Sequence, residues 1–235
     1  MQILFQNKFD LSSLDLFLPV TCGATVVLIG EDAGKQPLTL AQIIEDRRLT
    51  VWYSTPSTLR LLTGYGRLER RNHSSLRLVL FAGEVFPIAP LNALRAHWQA
   101  PRFFNLYGPT ETNVCTFFEL PRSIDASRAT PYPIGHVCDG DLARVLDADG
   151  RDVDAGHEGE LCISGRTVMR GYWNLDERTA QAFVTDERGT QWYRTGDIVT
   201  ESASDGFLFH GRRDRMVKRR GYRVELAEIE AALSA

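Results

Sequence analysis

Between Ala24 and Trp98 short apolar runs alternate with amphipathic ones, and this alternation limits the fold more than any other feature. Ala24 to Ile29 reads as a strand, Leu40 to Arg47 as a helix, Val51 to Ser54 as a strand, Ser57 to Leu62 as a helix, Leu76 to Ala82 as a strand and Ala89 to Trp98 as a helix. Strands separated each time by a helix-length segment form crossover units, which predicts an α/β layer with a largely parallel sheet. The intervening stretch from Gly64 to Ser75 is polar and charged and is expected at the surface. From Ile134 to His210 the pattern changes to short strand-like runs cut by Asp149-Gly150, Ala155-Gly156 and Asp205-Gly206. Those dipeptides favour tight turns, so a β-rich subdomain is expected there.

Composition narrows the class without naming it. At 235 residues and 43% hydrophobic, the chain can bury one large or two small cores. A net charge of -3 argues against a general nucleic-acid binder, which needs a basic surface. No apolar run approaches membrane-spanning length and no signal-peptide pattern opens the chain, so no membrane partner and a cytoplasmic location are expected. Cys22, Cys115, Cys138 and Cys162 are scattered, as are His73, His97, His136, His157 and His210, which predicts reduced thiols rather than a zinc site or a catalytic triad.

The densest chemistry lies in Asn105-Leu106-Tyr107-Gly108-Pro109-Thr110-Glu111-Thr112. Tyr107 offers an aromatic face for a purine, Gly108-Pro109 sets a turn, Thr110 offers a hydroxyl to a phosphate oxygen, and Glu111 offers a carboxylate to Mg2+. Further motifs stand in order around it: Phe9-Asp10 before it, then Gly159 to Gly165, Arg170-Gly171-Tyr172-Trp173, Tyr193-Arg194-Thr195-Gly196-Asp197, Gly211-Arg212-Arg213-Asp214 and Gly221 to Glu225. This series resembles the adenylate-forming ligases, specifically the amino-acid adenylation domains of nonribosomal peptide synthesis. The resemblance covers nearly the whole chain, and separated motifs in order are more specific than any one alone.

The resemblance implies an ATP-dependent reaction in which a carboxylate is joined to the α-phosphate, a task of positioning and charge neutralisation. It implies catalytic positions Thr110 and Glu111, with Glu111 on Mg2+, and ATP or AMP held by Gly83, Asn105, Leu106, Tyr107, Thr110, Asp197, Phe209 and Arg212. Asp197 would accept both ribose hydroxyls, Arg212 would reach the ribose and phosphates, and Gly83 would let backbone approach the adenine. Phe209 is either a second wall for the base or a core residue. Asp214 matches a hinge, which divides the chain into an α/β part over 1–130, a β-rich subdomain over 131–211, and 212–235 as hinge and start of a small subdomain, with a helix from Leu226 to Ser234. The cluster of basic residues from Arg212 to Arg223 reads as a solvated face.

Substrate choice is expected to begin at Asp10, the family's partner for an α-ammonium group, and to continue through Leu11, Leu14, Tyr53, Leu80, Ala82, Leu106, Val114 and Cys115. Ser54 competes with Tyr53 for its position by a shift of one. The set is uncharged beyond Asp10 and space-filling, which suits proline and disfavours charged side chains. It is also similar to the selectivity pattern of stand-alone L-prolyl ligases that load a phosphopantetheinyl carrier protein. The family's phosphate loop and its distal catalytic Lys have no counterpart in these residues, so the sequence reads as an internal piece of such an enzyme, inactive alone. The alternatives are an acyl- or aryl-CoA ligase, against which Asp10 argues, and a non-catalytic nucleotide-binding or interaction remnant.

Overall fold

A computed structural model describes residues 2–5, 12–213, 216–219 and 222–225. Contacts divide the chain into two units, Met1–Asn105 with Glu119–Tyr132, and Leu106–Phe118 with Pro133–Ala235.

The first unit contains β1 (Gln2–Phe5), α1 (Ser12–Cys22), β2 (Thr25–Leu28), α2 (Glu31–Gly34), α3 (Pro37–Asp46), β3 (Val51–Ser54), α4 (Pro56–Tyr65), β4 (Leu78–Ala82), α5 (Ile88–His97) and the start of β5 (Arg102–Tyr107). Its strands run in the order β2-β1-β3-β4-β5, and the β1/β2, β1/β3 and β3/β4 pairs are parallel. The expected α/β layer is therefore present. β3 is buried along its whole length, as a strand covered by helices on both faces must be. α3 turns Leu40, Ala41 and Ile44 inward at helical spacing, and α4 does the same with Leu59 and Leu62. Both helices begin with proline in the first turn, where a missing N–H costs nothing. Trp52 and Phe81 are the largest fully buried side chains, and Phe81 meets Phe86 edge-on at 5.1 Å between centroids.

Two sequence boundaries move for identifiable reasons. β4 begins at Leu78 rather than Leu76, because the Leu76 N–H closes a turn onto His73 O while Arg77 and Leu78 both donate to Thr50 O. The Gly64 to Ser75 stretch is not wholly a surface loop. α4 runs on to Tyr65, and a short 3-10 turn at Leu68–Arg70 buries Leu68.

The second unit holds most of β6 (Thr116–Glu119), then β7 (His136–Val137), β8 (Asp141–Leu146), β9 (Glu158–Gly165), α6 (Asp176–Ala182), β10 (Phe183–Thr185), β11 (Gln191–Ser202), β12 (Gly206–Arg212), β13 (Met216–Arg219) and β14 (Tyr222–Glu225). An antiparallel sheet runs β10-β11-β9-β8, with β12 also on β11, and β13 pairs with β14 as a separate hairpin. The β-rich expectation holds, except that α6 interrupts it, a helix whose first turn carries Asp176 and Glu177. Cys115, Ile134, Val145, Leu161, Ile163, Val199 and Phe207 form the core. Gly206 turns the β11–β12 hairpin at φ 71°, and a Cβ there would strike Gly135 O at 2.2 Å. No helix among the described residues is long and apolar enough to cross a membrane.

Candidate functional site

The octapeptide turn is held by its own backbone. Cys115 N–H donates to Tyr107 O at 2.9 Å, and Thr112 N–H donates to Pro109 O at 3.0 Å. Gly108 lies so close to Asn113 that a Cβ would sit 1.6 Å from Asn113 O, so only glycine closes this loop. The closure leaves Thr110 exposed at the tip and Glu111 buried. Glu111 Oε1 accepts from the Tyr172 hydroxyl at 2.8 Å, and Glu111 O accepts from Met169 N–H at 2.7 Å. Burial, then the bond to Glu111, pushes the Tyr172 phenol up, which keeps it a donor.

At the base of the same turn, the Tyr107 hydroxyl donates to Asp197 Oδ2 at 2.5 Å, while Arg212 Nη1 donates to Asp197 Oδ1 at 2.8 Å and to Thr195 O at 3.1 Å. Asp197 and Arg212 are direct partners across β11 and β12, and their side chains are only 7% and 14% exposed, so the ion pair is largely desolvated. Burial first, and the Asp197 charge next, raise the Tyr107 phenol well above its ordinary value. Phe209 lies 6.5 Å from the Tyr107 ring at a 41° tilt and also packs on the core, so the two roles open to it in sequence are not exclusive.

Asp197 reaches this place through an irregular strand. The β11 register shifts between Arg194 and Ile198 against β9, and between Ile198 and Val199 against β12. Such irregularities re-aim side chains. Glu160 braces the bend: its Oε2 accepts from Arg194 Nε and Nη2 at 2.9 and 2.7 Å, Arg213 Nη1 lies 3.1 Å away, and its Oε1 accepts from Gly196 N–H at 3.0 Å. Thr195 Oγ1 donates to Leu161 O and accepts from Asp197 N–H. Sequence reasoning assigned no role to Glu160, Thr195 or Tyr172. A signal existed for Glu160, an acid just before the apolar run Leu161-Cys162-Ile163, where a buried carboxylate needs cationic partners.

The remaining expected positions are divided between the two units. In the first unit Tyr53 and Leu80 are direct partners on β3 and β4, and Ala82 lies two residues beyond Leu80, so the three share one face. Ser54 pairs with Phe81 on the opposite face and accepts from Trp52 Nε1 at 2.8 Å. The pleat therefore groups Tyr53, not Ser54, with Leu80 and Ala82. Leu14 is partly buried on α1, Gly83 follows β4 at φ 91°, and Asn105 is partly buried on β5. In the second unit Leu106 and Val114 are partly buried and Cys115 is fully buried in the core. Asp10, Leu11 and Asp214, and the helix expected from Leu226 to Ser234, lie outside the described residues.

A largely buried carboxylate is thus fixed beside an aromatic ring, with an arginine on its other oxygen. The pattern of the AMP-binding enzyme family matches residues 7–173, and the chain belongs to that family. It is 47% identical over 227 residues to an L-proline–(L-prolyl-carrier protein) ligase of Streptomyces coelicolor, a match covering 96% of this chain and 42% of that protein. The similarly described ligase of Pseudomonas fluorescens is 40% identical, with 97% and 43% covered. Among solved structures, the Vibrio cholerae adenylation domain AlmE in complex with glycyl-adenosine-5'-phosphate superposes with a TM-score of 0.84 at 33% identity, over 97% of this chain and 43% of that one. The chain thus has the α/β fold of part of an adenylation domain and spans about two fifths of the length of these relatives.

Proposed function

We propose that this chain supplies the nucleotide site and part of the amino-acid site of an ATP-dependent ligase that adenylates L-proline and passes it to a phosphopantetheinyl carrier protein. The observation that carries the reading is Asp197, a largely buried carboxylate held beside the Tyr107 ring by the Tyr107 hydroxyl and Arg212. In this reading Asp197 takes the ribose hydroxyls, Tyr107 and Phe209 offer apolar surface to the base, and Thr110 donates to the α-phosphate. Arg212 holds Asp197 in place. The names of the two prolyl-ligase relatives support the amino acid and the carrier partner. Tyr53, Leu80 and Ala82 offer an uncharged face suited to a small apolar side chain, and Asp10 is the expected partner of the substrate ammonium. Use of ATP is consistent with work in the cytoplasm.

Mg2+ fits this reading only as a shared ligand set. No cluster of three metal-ligating side chains occurs among the described residues, and Glu111 contributes one carboxylate, which suffices where substrate phosphates complete the sphere. There the ion would neutralise phosphate charge, while Tyr172 holds Glu111 in its rotamer.

Calorimetric titration of the 235-residue chain with AMP tests the nucleotide site. Asp197→Ala should weaken binding about tenfold or more, since hydrogen bonds to a charged acceptor are lost. Equal affinity in a folded variant would remove Asp197 from the site. Amino-acid-dependent exchange of pyrophosphate into ATP, measured with this segment within a complete adenylation enzyme, tests the substrate. Proline should exceed phenylalanine, aspartate and lysine, and a preference for an aryl acid would overturn the amino-acid reading.

A further inference from the structure

Arg95 lies on the inward face of α5 with Leu91 and Leu94 and is 5% exposed. Its Nη2 donates to Pro121 O and to Arg122 O, the latter at 3.0 Å, and its guanidinium carbon stands 5.6 Å from the centre of the Phe103 ring. Its Nη1 meets no acceptor, and no carboxylate pairs with it, among the described residues. A buried cation without a counter-charge is costly, and carbonyl dipoles offset only part of that cost.

The Arg95 side chain lines a cavity of about 360 Å3 within the first unit. Arg102 and Arg122 also line it, Trp98, Phe103 and Ile124 supply apolar wall, and no acidic side chain is among its lining residues. Arg102 is compensated, since its Nε and Nη2 donate to Glu119 at 2.7 and 2.6 Å. Arg122 gives Nη1 to Ala100 O at 2.8 Å, and Glu119, which acts on it at longer range, is held directly by Arg102, leaving the rest of the Arg122 fork for another acceptor. The cavity is thus cationic, partly apolar and of a size that suits a small organic molecule.

We infer that this cavity binds a small organic anion, a carboxylate or phosphate on an apolar body, with Arg95 and Arg122 as its counter-charges. The anion supplies the missing negative charge, and its apolar body covers Trp98 and Phe103. The site is separate from the nucleotide chemistry, because none of its residues belongs to the turn, β11 or β12.

Titration calorimetry of the 235-residue chain at low salt with benzoate, phenyl phosphate and neutral benzyl alcohol tests the inference. At least one of the two anions should bind about tenfold or more tightly than the alcohol, and saturating AMP should leave its affinity unchanged. Arg95→Met, which keeps the apolar stem, should lower anion affinity about tenfold, and Arg122→Gln, at an exposed position, should lower it about threefold or more without affecting the fold. No binding of either anion, equal binding of the alcohol, competition by AMP, or wild-type affinity in Arg122→Gln would overturn it.

Discussion

Tyr107 and Asp197 stand ninety residues apart in sequence, yet the Tyr107 hydroxyl donates to Asp197 Oδ2 at 2.5 Å. The bond fixes both the ring plane and the carboxylate. It also separates two contributions of Tyr107, the ring as a surface for a base and the hydroxyl as a brace. Tyr107→Phe keeps the ring, so AMP affinity should change less than about threefold while thermal stability falls by about 1.5–3 kcal/mol for the lost bond to a charged acceptor. Tyr107→Ala also removes the stacking face and should weaken AMP about tenfold, since base–aromatic stacking contributes about 1–3 kcal/mol. Calorimetry and thermal melts together read both effects, and equal affinity for all three proteins would exclude Tyr107 from the base site.

Glu160 has the largest expected stability effect of the site residues. Glu160→Gln keeps the shape but removes the charge facing Arg194 and Arg213, so unfolding free energy should drop by about 2–4 kcal/mol. Urea unfolding measures the drop, and the change should be smaller at high salt because Arg213 is 42% exposed.

Asp15 gives the first unit a pH dependence of definite sign. Burial raises its carboxyl from 3.8 to about 7, and it is 3% exposed. The folded chain therefore keeps a proton that the unfolded chain releases. The advantage of the neutral carboxyl is present in full below the unfolded value and is lost as pH rises to about 7, a change of up to about 4 kcal/mol. Asp15→Asn should flatten stability between pH 5 and 8 and raise it at the upper end, as followed by denaturant titration. An unchanged pH profile would show that Asp15 does not carry it.

The thiols should separate by environment. Burial pushes Cys115 and Cys162 up to about 12, whereas Cys22 is exposed. At pH 8 a thiol-exchange reagent should label Cys22 first and Cys138 more slowly, with Cys115 and Cys162 reacting only after denaturation. Rapid labelling of Cys115 in the native chain would show that its core opens.

Gly108→Ala places a methyl where Asn113 O already lies, so the turn must open. A loss of more than about 2 kcal/mol is expected, with AMP binding reduced because Thr110 and Glu111 move with the turn. Retained binding at wild-type stability would mean the turn tolerates displacement.

The sequence by itself determined the class of this protein, because the features that define it are local. The alternation of Val51 to Ser54, Ser57 to Leu62 and the later strand and helix follows from burial repeating along one segment, and the octapeptide carries its chemistry in contiguous residues. Only the tertiary structure decided what depends on register and on distant partners. The pleat of β3 against β4 groups Tyr53 with Leu80 and Ala82 and turns Ser54 away, a distinction of one residue that no composition encodes. Glu160 reads in sequence as one acid among many, but pairing of β9 with β11 brings it to Arg194, Gly196 and Arg213. Leu68 looked like part of a charged loop until a short helical turn buried it. For the pleat and for Glu160 the deciding energy is a contact between residues far apart in the chain, and such contacts exist only once the strands have found their neighbours.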